Sequence, residues 1–299
     1  MGDALTGPRA GFVALAGRPN VGKSTLVNAI VGTKVAIVSD KPQTTRRAIR
    51  GIAMRGDAQL VLVDLPGVQR PRDALTERMQ GRVDRELADA DGALMLLNAE
   101  QGVGPGDRFI AAALAGAGVP VTIAVNKIDR LDRAHTVAAL QAAADLGVGE
   151  DIFPISARKG TGVDALVTHL VGLLPAGPHL FDVDDLSDQP ESVLVAELIR
   201  EQILRRTFQE VPHAVEVVVE DVDAEREDLI RIQALAWVEA ESQKGILIGA
   251  HGKMIKAIGT AARRELERHF DTRVHLDLSV HVRRRWRADD ALLDRLGIE

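Results

Sequence analysis

The stretch Gly17–Ser24 constrains the fold of this chain more than any other feature, because its sequence GRPNVGKS fits the pattern G-x-x-x-x-G-K-S/T. A short apolar run, 12–16, precedes it, and apolar residues at helical spacing follow it in 24–31. A strand, a glycine turn and a helix in this order form a cradle in which backbone N–H groups and the positive end of the helix face phosphate oxygens. We expect Lys23 to reach the outer phosphates and the Ser24 hydroxyl to bind Mg²⁺. The alternative, a chance glycine-rich turn, is disfavoured by this context.

The composition narrows the class of protein. The chain has 299 residues, which is enough for about two domains. Hydrophobic residues make up 46% and charged residues 27%, as is typical of a globular chain. No stretch approaches the roughly 20 apolar residues of a membrane span, and the polar N-terminus lacks an apolar signal core, so we expect a cytoplasmic protein. The absence of cysteine excludes disulfides, zinc–thiolate sites and thiol nucleophiles.

Charge is unevenly distributed along the chain. The formal net charge is −6, which by itself disfavours nucleic-acid binding. Residues 244–287, however, contain eleven Lys or Arg against four acidic residues. The negative net charge of the whole chain is therefore compatible with a basic region near the C-terminus.

Strand and helix patterns alternate through the first 174 residues. This alternation predicts an α/β fold with a mostly parallel, doubly wound sheet and ligands at the carboxyl ends of its strands. The predicted strands are 12–16, 47–54, 58–64, 93–97, 119–125 and 152–155, and the predicted helices are 24–31, 73–90, 107–115, 134–144 and 163–174.

Three further motifs fall at predicted strand ends. The sequence Asp64-Leu65-Pro66-Gly67 follows a strand that is apolar on both faces. In that position we expect the Asp64 carboxylate to help hold Mg²⁺. We expect the backbone N–H of Gly67 to donate a hydrogen bond to the terminal phosphate. An ordinary strand-to-loop turn is the alternative for this motif.

The sequence N-K-I-D at 126–129 predicts the choice of base. The Asp129 carboxylate can accept hydrogen bonds from the ring N–H and the amine of guanine, whereas adenine presents an acceptor at the equivalent place. We expect Lys127 to lie along the base and Asn126 to connect neighbouring loops. The third motif, Ser156-Ala157-Arg158, follows the next strand.

The second half of the chain begins after a proline- and acid-rich stretch that reads as a linker, 179–190. It contains, in order, a helix, two strands, an apolar half-turn at 244–248, the sequence G-x-x-G at 249–252, a basic amphipathic helix and a last strand, 274–282. This order predicts a type II KH module, in which single-stranded RNA lies in a groove between helix and strand. We therefore predict a GTPase domain at 1–178, the linker, and a KH domain at 191–299.

Two tryptophans in this half have alternative interpretations. Trp237 lies in an apolar strand and is predicted as a core residue rather than a base-stacking one. Trp286, among Arg283, Arg284, Arg285 and Arg287, could stack a base or pack on the following helix, and the sequence favours neither. His251 is predicted as an RNA contact and not as a catalytic base.

Together these motifs resemble the translation-factor-related class of GTPases, and the sequence G-R-P-N-V-G-K-S-T-L-x-N is similar to the Era and Der group. Era proteins are specifically similar in three further segments, at 196–201, 211–213 and 258–263. Der proteins carry two GTPase domains, whereas this chain has one phosphate loop, so the resemblance is to the Era family. The family usually has threonine where Leu65 stands.

The resemblance implies a GTP-hydrolysing switch that binds small-subunit (16S) rRNA near its 3′ end and assists 30S assembly and rRNA maturation. It implies Thr45 as the switch threonine that closes on Mg²⁺, with Thr44 as the open alternative, and a K⁺ ion at Asn20. It also allows peripheral membrane association, and we expect a monomer without a stable protein partner. Val68 stands where small GTPases have a water-orienting glutamine, so we expect a slow turnover, on the order of 10⁻⁴ to 10⁻² per second. Arg46, Arg47 and Arg70 are nearby in the sequence, but nothing favours any one of them as an arginine finger over an ordinary surface charge.

The predicted catalytic residues are Lys23, Thr45 and Gly67, and the predicted Mg²⁺ ligands are Ser24, Thr45 and Asp64. The predicted nucleotide-binding residues are Gly17, Arg18, Pro19, Asn20, Val21, Gly22, Lys23, Ser24, Thr25, Asp64, Leu65, Pro66, Gly67, Val68, Asn126, Lys127, Asp129, Ser156, Ala157 and Arg158. The predicted RNA-binding residues are Lys244, Gly249, Ala250, His251, Gly252, Lys253, Lys256, Arg283, Arg284 and Arg285. The rival functions are an ATP-dependent P-loop enzyme, an RNA-binding module that does not hydrolyse GTP, and a related ribosome-associated GTPase that acts on a different RNA.

Overall fold

A computed structural model describes residues 7–41, 43–67, 73–226 and 228–298. The chain divides into two compact units. The first contains the described parts of Met1–Ala36, Thr45–Arg72 and Thr76–Asp188, and the second contains those of Ile37–Thr44, Asp73–Leu75 and Gln189–Glu299.

The first unit is built on a six-stranded sheet with the strand order β2-β3-β1-β4-β5-β6. The strands are β1 (Arg9–Ala16), β2 (Ile49–Arg55), β3 (Ala58–Asp64), β4 (Gly92–Asn98), β5 (Val121–Asn126) and β6 (Ile152–Ile155). β2 pairs antiparallel with β3, and every other pair is parallel. Every residue of β3 and β4 is buried, which explains why these segments are apolar on both faces.

Helices cover both faces of this sheet. They are α1 (Lys23–Val31), α2 (Ala74–Ala88), α3 (Pro105–Ala115), α4 (Arg133–Ala144) and α5 (Val163–Leu173). Because alternate strand residues point to opposite faces, Val13 and Leu15 of β1 pack in one core with α1 and α5. Their neighbours Ala14 and Ala16 pack in a second core with α2, α3 and α4. The predicted doubly wound architecture is confirmed.

The segment 179–190, predicted as a linker, belongs to the first unit as far as Asp188. The buried side chain of Gln59 on β3 accepts hydrogen bonds from the N–H groups of Leu180 and Phe181, at 2.8 and 3.0 Å. These bonds satisfy a polar group that would otherwise lie unpaired in the sheet.

The second unit contains a three-stranded sheet of β7 (Glu216–Arg226), β8 (Leu229–Val238) and β9 (Arg273–Val282). β7 pairs antiparallel with β8, and β8 pairs parallel with β9. The helices are α6 (Glu191–Leu204), α7 (Val211–Ala214), α8 (Glu241–Ile248), α9 (Lys253–Phe270) and α10 (Asp290–Arg295). Apolar residues of α6, α8 and α9 pack on one face of the sheet and form the core of this unit.

The predicted apolar half-turn at 244–248 is wrong, because this segment belongs to the eight-residue helix α8. The side chain of Gln243 accepts hydrogen bonds from the N–H groups of Glu239 and Ala240, at 2.8 and 3.2 Å. This contact satisfies backbone donors where the helix begins and stabilises its first turn.

Ile37–Thr44 belongs to the second unit through polar contacts with α6. The buried Glu201 carboxylate accepts the N–H of Val38 at 2.9 Å, and the buried Arg200 guanidinium donates to the Thr44 carbonyl. No helix among the residues that the structure describes is long and apolar enough to cross a membrane.

Candidate functional site

The phosphate loop joins β1 to α1, and its two motif glycines lie where a side chain does not fit. A Cβ atom at Gly17 would lie 2.8 Å from the carbonyl oxygen of Leu96. Gly22 has φ of +107°, and a Cβ there would overlap Nδ2 of Asn126. Both glycines are therefore required by close packing against neighbouring strand ends.

Lys23 is buried at the start of α1. Its Nζ donates to the carbonyl oxygens of Gly17 at 3.0 Å and of Arg18 at 3.3 Å. Burial lowers the pKa of Lys23, and the charge of Asp64 opposes that shift. The loop thus holds an ammonium group at the position where the sequence predicts contact with phosphates.

Three oxygen-bearing side chains from different segments converge beside this lysine. Ser24 Oγ donates to Asp64 Oδ2 at 2.6 Å, and Thr45 Oγ1 lies 3.3 Å from Ser24 Oγ and 3.4 Å from Asp64 Oδ2. Asp64 ends β3 and is fully buried, which raises its pKa, while Lys23 opposes the shift.

This cluster fits a magnesium ion. Within the described part of the chain, no hydrogen-bond donor reaches the buried Oδ1 atom of Asp64. Mg²⁺ prefers oxygen ligands, commonly one or two carboxylates. A buried carboxylate oxygen without a partner, beside two hydroxyl groups, is the arrangement that such an ion would complete.

The two candidate switch threonines differ in their contacts. Thr44 Oγ1 donates to the carbonyl of Lys41 at 2.6 Å, whereas Thr45 is the threonine that lies beside Ser24 and Asp64.

The turn after β3 lies against the phosphate loop. A Cβ atom at Gly67 would lie 3.0 Å from Cγ of Pro19. Leu65 is fully buried in the core under α2, so it replaces the family's usual threonine as a packing residue. Val68, also predicted as a nucleotide contact, lies outside the described residues, as do Gln69 and Arg70.

Asn126 connects three loops at the carboxyl end of β5. Its Nδ2 donates to the carbonyl of Val21 at 2.8 Å, and its Oδ1 accepts from the N–H groups of Lys127 at 2.8 Å and Ala157 at 3.0 Å. Because Asn126 is buried, these bonds satisfy its amide and fix the phosphate loop against the two predicted base loops.

The predicted base-recognition residues are brought together. Lys127 Nζ donates to the Asn20 carbonyl at 2.8 Å, and Asp129 Oδ1 accepts from Ser156 Oγ at 2.7 Å. The hydrogen bond from Ser156 is the main cause that lowers the pKa of Asp129. The bond from Ser156 orients the carboxylate and favours its ionised form, which is the form that can accept hydrogen bonds from guanine. Arg158 is exposed at the edge of this group.

The G-x-x-G loop connects α8 to α9, and its two glycines differ in the space that would be available to a side chain. A Cβ atom at Gly249, where φ is +70°, would lie 2.7 Å from Cβ of Met254, so this glycine is needed for the fold of the loop. Gly252 has φ of +74° but nothing within 4 Å of a Cβ atom, so its face of the loop is open. Ala250 and His251 are exposed at the tip of the loop.

A cavity of about 330 Å³ lies between α9 and β9. Its lining residues are Ile255, Lys256, Gly259, Thr260, Arg263, Leu276, Asp277 and Leu278. Of these, only Lys256 was predicted as an RNA contact. The signal that could have found Gly259 and Arg263 is their spacing from Lys256 on one face of the helix.

The two tryptophans differ in burial. Trp286 is fully buried, and its Nε1 donates to the carbonyl of Ala214 at 2.8 Å, so it packs inside the unit rather than stacking a base. Trp237, predicted as core, is only half-buried and lies beneath the Arg283 guanidinium at 5.9 Å. The reason is alternation along β8, because Ala236 and Val238 take the buried face.

The remaining predicted RNA contacts are surface residues. Lys253, Lys256, Arg283, Arg284 and Arg285 are exposed, and Lys244 is half-buried on α8.

Comparisons with known proteins match this two-part architecture. A family described as "50S ribosome-binding GTPase" matches residues 12–127, and the KH domain family matches residues 210–287. The GTPase Era of Mycobacterium avium (strain 104) is 45% identical over 298 residues, covering 98% of this chain and 100% of that protein. GTPase Era of Mycobacterium tuberculosis (strain ATCC 25177 / H37Ra) is 44% identical over 299 residues, with the same coverage.

Two solved structures are similar over almost the whole chain. A crystal structure of Era in complex with MgGDPNP and nucleotides 1506–1542 of 16S ribosomal RNA has a TM-score of 0.93 and 33% identity, covering 97% of this chain and 99% of that one. A variant of Aquifex aeolicus Era bound to GDP and AlF₄⁻ has a TM-score of 0.91 and 34% identity, with the same coverage. The predicted fold and resemblance are confirmed: this chain belongs to the Era family of GTPases, with one GTPase domain followed by a KH domain.

Proposed function

We propose that this Era-family GTPase binds small-subunit (16S) ribosomal RNA near its 3′ end and assists 30S subunit assembly and rRNA maturation. The observation that carries the proposal is the joint presence of a nucleotide site in the first unit and an open, basic G-x-x-G loop and groove in the second. Support comes from the similar Era structure, which holds both MgGDPNP and nucleotides 1506–1542 of 16S rRNA.

Guanine selection rests on Asp129. A carboxylate only accepts hydrogen bonds, so it pairs with the two adjacent donors of guanine and is left facing an acceptor by adenine. A site built in this way rejects the wrong base by on the order of 10⁴-fold. Ser156 orients the carboxylate, and Lys127 covers the base from the side of the phosphate loop.

Hydrolysis uses positioning and charge neutralisation more than covalent chemistry. Lys23 would leave its carbonyl partners to contact the outer phosphate oxygens, and the Gly67 N–H would donate to the terminal phosphate. Ser24, Thr45 and Asp64 would hold Mg²⁺, which supplies positive charge to the phosphate oxygens. No water-orienting glutamine follows Gly67 directly, since Val68 stands there, so slow intrinsic turnover stays our prediction.

A potassium ion at Asn20 is part of the proposal. This element comes from the family resemblance and rests on the asparagine at position 20 of the phosphate loop. A cation there would provide the charge that an arginine finger provides elsewhere. GTP hydrolysis should be faster in potassium than in sodium at equal ionic strength. Equal rates would contradict the potassium hypothesis.

RNA binding is assigned to the G-x-x-G loop and the groove between α9 and β9. Gly252 leaves room for the sugar–phosphate backbone, Lys253 and Lys256 supply positive charge, and the groove of about 330 Å³ would receive bases. Exposed Arg283, Arg284 and Arg285 would add backbone contacts. We expect a monomer in the cytoplasm with no stable protein partner, and peripheral membrane association stays a prediction from the resemblance.

The proposal is tested by nucleotide competition and RNA binding in the full-length protein. GTP and GDP should displace a fluorescent guanine nucleotide, whereas ATP at the same concentration should not. An RNA oligonucleotide from the 16S 3′ end should bind more tightly than a scrambled one. ATP competition would favour the rival ATP-dependent enzyme, absence of GTP turnover under all conditions would favour the RNA-binding module, and equal RNA affinities would indicate a different RNA.

A further inference from the structure

A buried carboxylate outside the sequence motifs is bonded to the phosphate loop. Asp107, in the first turn of α3, is fully buried. Its Oδ2 accepts the N–H of Gly104 at 2.8 Å, which caps the helix, and its Oδ1 accepts from Nε of Arg18 at 2.8 Å. Arg18 is the second residue of the phosphate loop, 89 positions earlier in the chain.

The Arg18 side chain is held by more than this ion pair. Its Nη2 donates to the carbonyl of Gly102 at 3.3 Å. A Cβ atom at Gly106 would lie 2.9 Å from Cδ of Arg18, so the glycine leaves room for the arginine stem on the first turn of α3. The side chain that the sequence predicts as a nucleotide contact is therefore engaged by the β4–α3 loop.

The backbone of the same arginine contacts Lys23. The Arg18 carbonyl accepts from Lys23 Nζ at 3.3 Å, beside the Gly17 carbonyl at 3.0 Å. A single residue thus connects a buried carboxylate, through its side chain, to the phosphate-binding lysine, through its carbonyl. Since the ion pair is largely removed from solvent, with side-chain exposures of 26% and 0%, it restrains the loop more than a surface pair would.

We infer that Asp107 is a positioning residue for GTP hydrolysis: through Arg18 it fixes the part of the phosphate loop from which Lys23 approaches the outer phosphates. This inference rests on the proposed role of Lys23. Small displacements of a positioning group are expected to lower turnover strongly, because the reaction depends on geometry. Among the described residues, the hydrogen bonds of the Asp107 side chain go to Arg18 and Gly104, and none goes to Lys23.

Two simpler roles compete with this one. Asp107 could serve only as the cap of α3, or Arg18 could act directly on the nucleotide and need Asp107 only for folding. The Asp107→Asn variant separates these roles. Asparagine retains an oxygen that can accept from Gly104, but its amide then faces the donors of Arg18. The cap can persist while the contact to the phosphate loop is lost.

The experiment measures kcat and KM for GTP, GDP affinity and melting temperature in the full-length protein. The variants are Asp107→Asn, Arg18→Gln and the double substitution, with Arg108→Gln as the control, since Arg108 is an exposed neighbour on the same helix. We expect both single variants to lower kcat roughly tenfold with a smaller change in KM. The double variant should resemble either single one, because both remove the same contact, and the control should match the unsubstituted protein.

Three results would overturn the inference. An Asp107→Asn variant with a lower melting temperature but unchanged kcat would reduce Asp107 to a helix cap. A kcat loss in Arg18→Gln alone would assign Arg18 a direct role. Additive losses in the double variant would make the two residues independent. A Lys23→Met variant is measured in the same assays, and normal hydrolysis by it would contradict the proposed phosphate site itself, whatever the behaviour of Asp107.

Discussion

The absence of a side chain at Gly22 matters both for the stability of the fold and for the geometry of the nucleotide site. The residue has φ of +107°, and a Cβ atom there would overlap the amide of Asn126, which donates to the Val21 carbonyl. Gly22→Ala should therefore displace the base loop from the phosphate loop. We expect a loss of about 2 kcal/mol or more in the free energy of unfolding, together with weaker GDP binding.

The matched control is Gly32→Ala. Gly32 follows α1 with φ of +87°, but nothing lies within 4 Å of a Cβ atom there. The Gly32→Ala substitution should lower the free energy of unfolding by about 1 kcal/mol and leave GDP affinity unchanged. Thermal unfolding and GDP titration measure both effects, and equal GDP affinities in the two variants would contradict the proposed role of Gly22.

The hydrogen bond from Ser156 to Asp129 predicts a pH effect. It is the main cause of the lowered pKa of Asp129, and guanine pairing requires the ionised carboxylate. A carboxylate with a lowered pKa stays ionised until the pH falls through that lower value. Ser156→Ala removes the donor, so the pKa rises and GDP affinity should be lost at a higher pH as the solution is acidified.

The control for this effect is Asp132→Asn. The pKa of Asp132 is also lowered, chiefly by the backbone N–H of His135, but this carboxylate caps α4 and lies outside the predicted base contacts. The pH profile of GDP affinity, measured by titration at several pH values, should move in Ser156→Ala and stay in place in Asp132→Asn. A profile that does not move in Ser156→Ala would show that the hydrogen bond has no influence on guanine binding.

At the residue scale, the sequence predicts those contacts that lie in contiguous motifs. Ser24, Asp64 and Thr45 come from three separate segments, yet each lies in a recognisable pattern, and the structure brings them within hydrogen-bonding distance. Asp107 has no such signal, because an acidic residue in the first turn of a helix is also favoured by the helix dipole alone. The resemblance implies Thr45 as the switch threonine with Thr44 as the alternative, and the side chain of Thr45 is the one that lies beside Ser24 and Asp64.

At the level of elements, the alternation of apolar strands and amphipathic helices was sufficient to predict the parallel sheet of the first unit. Segments apolar on both faces, such as β3, can only be central strands in this arrangement. The helix α8 could not be predicted in the same way. It has eight residues, too few for a clear periodicity, and its start depends on the contact of Gln243 with preceding N–H groups.

A glycine in the interior of α9 allows a test of the proposed RNA groove. Gly259 lies in the helix interior and lines the groove, and nothing lies within 4 Å of a Cβ atom there. Gly259→Ala should increase the free energy of unfolding by about 0.5–1 kcal/mol, because alanine loses less conformational entropy. The added methyl group would occupy part of the proposed RNA groove, so RNA affinity should fall, by roughly tenfold.

Gly172→Ala in α5 is the matched control, since nothing lies within 4 Å of a Cβ atom there either. It should give a similar gain in stability with no change in RNA affinity. Denaturant unfolding and RNA titration of both variants test this prediction. A Gly259→Ala variant that binds RNA as tightly as the unsubstituted protein would contradict the assignment of the groove.

At the scale of the whole molecule, the nucleotide site and the RNA groove belong to different units of one chain. If nucleotide binding and RNA binding are thermodynamically linked, each must change the affinity for the other by the same factor.

The most direct measurement is the affinity of the full-length protein for an RNA oligonucleotide from the 3′ end of 16S rRNA, determined with MgGDPNP and with GDP. A GTP-dependent switch should bind this RNA more tightly with MgGDPNP, and the RNA should tighten GDPNP binding relative to GDP by the same factor. Equal RNA affinity in both nucleotide states, or no preference for this RNA over a scrambled sequence, would contradict the proposed function.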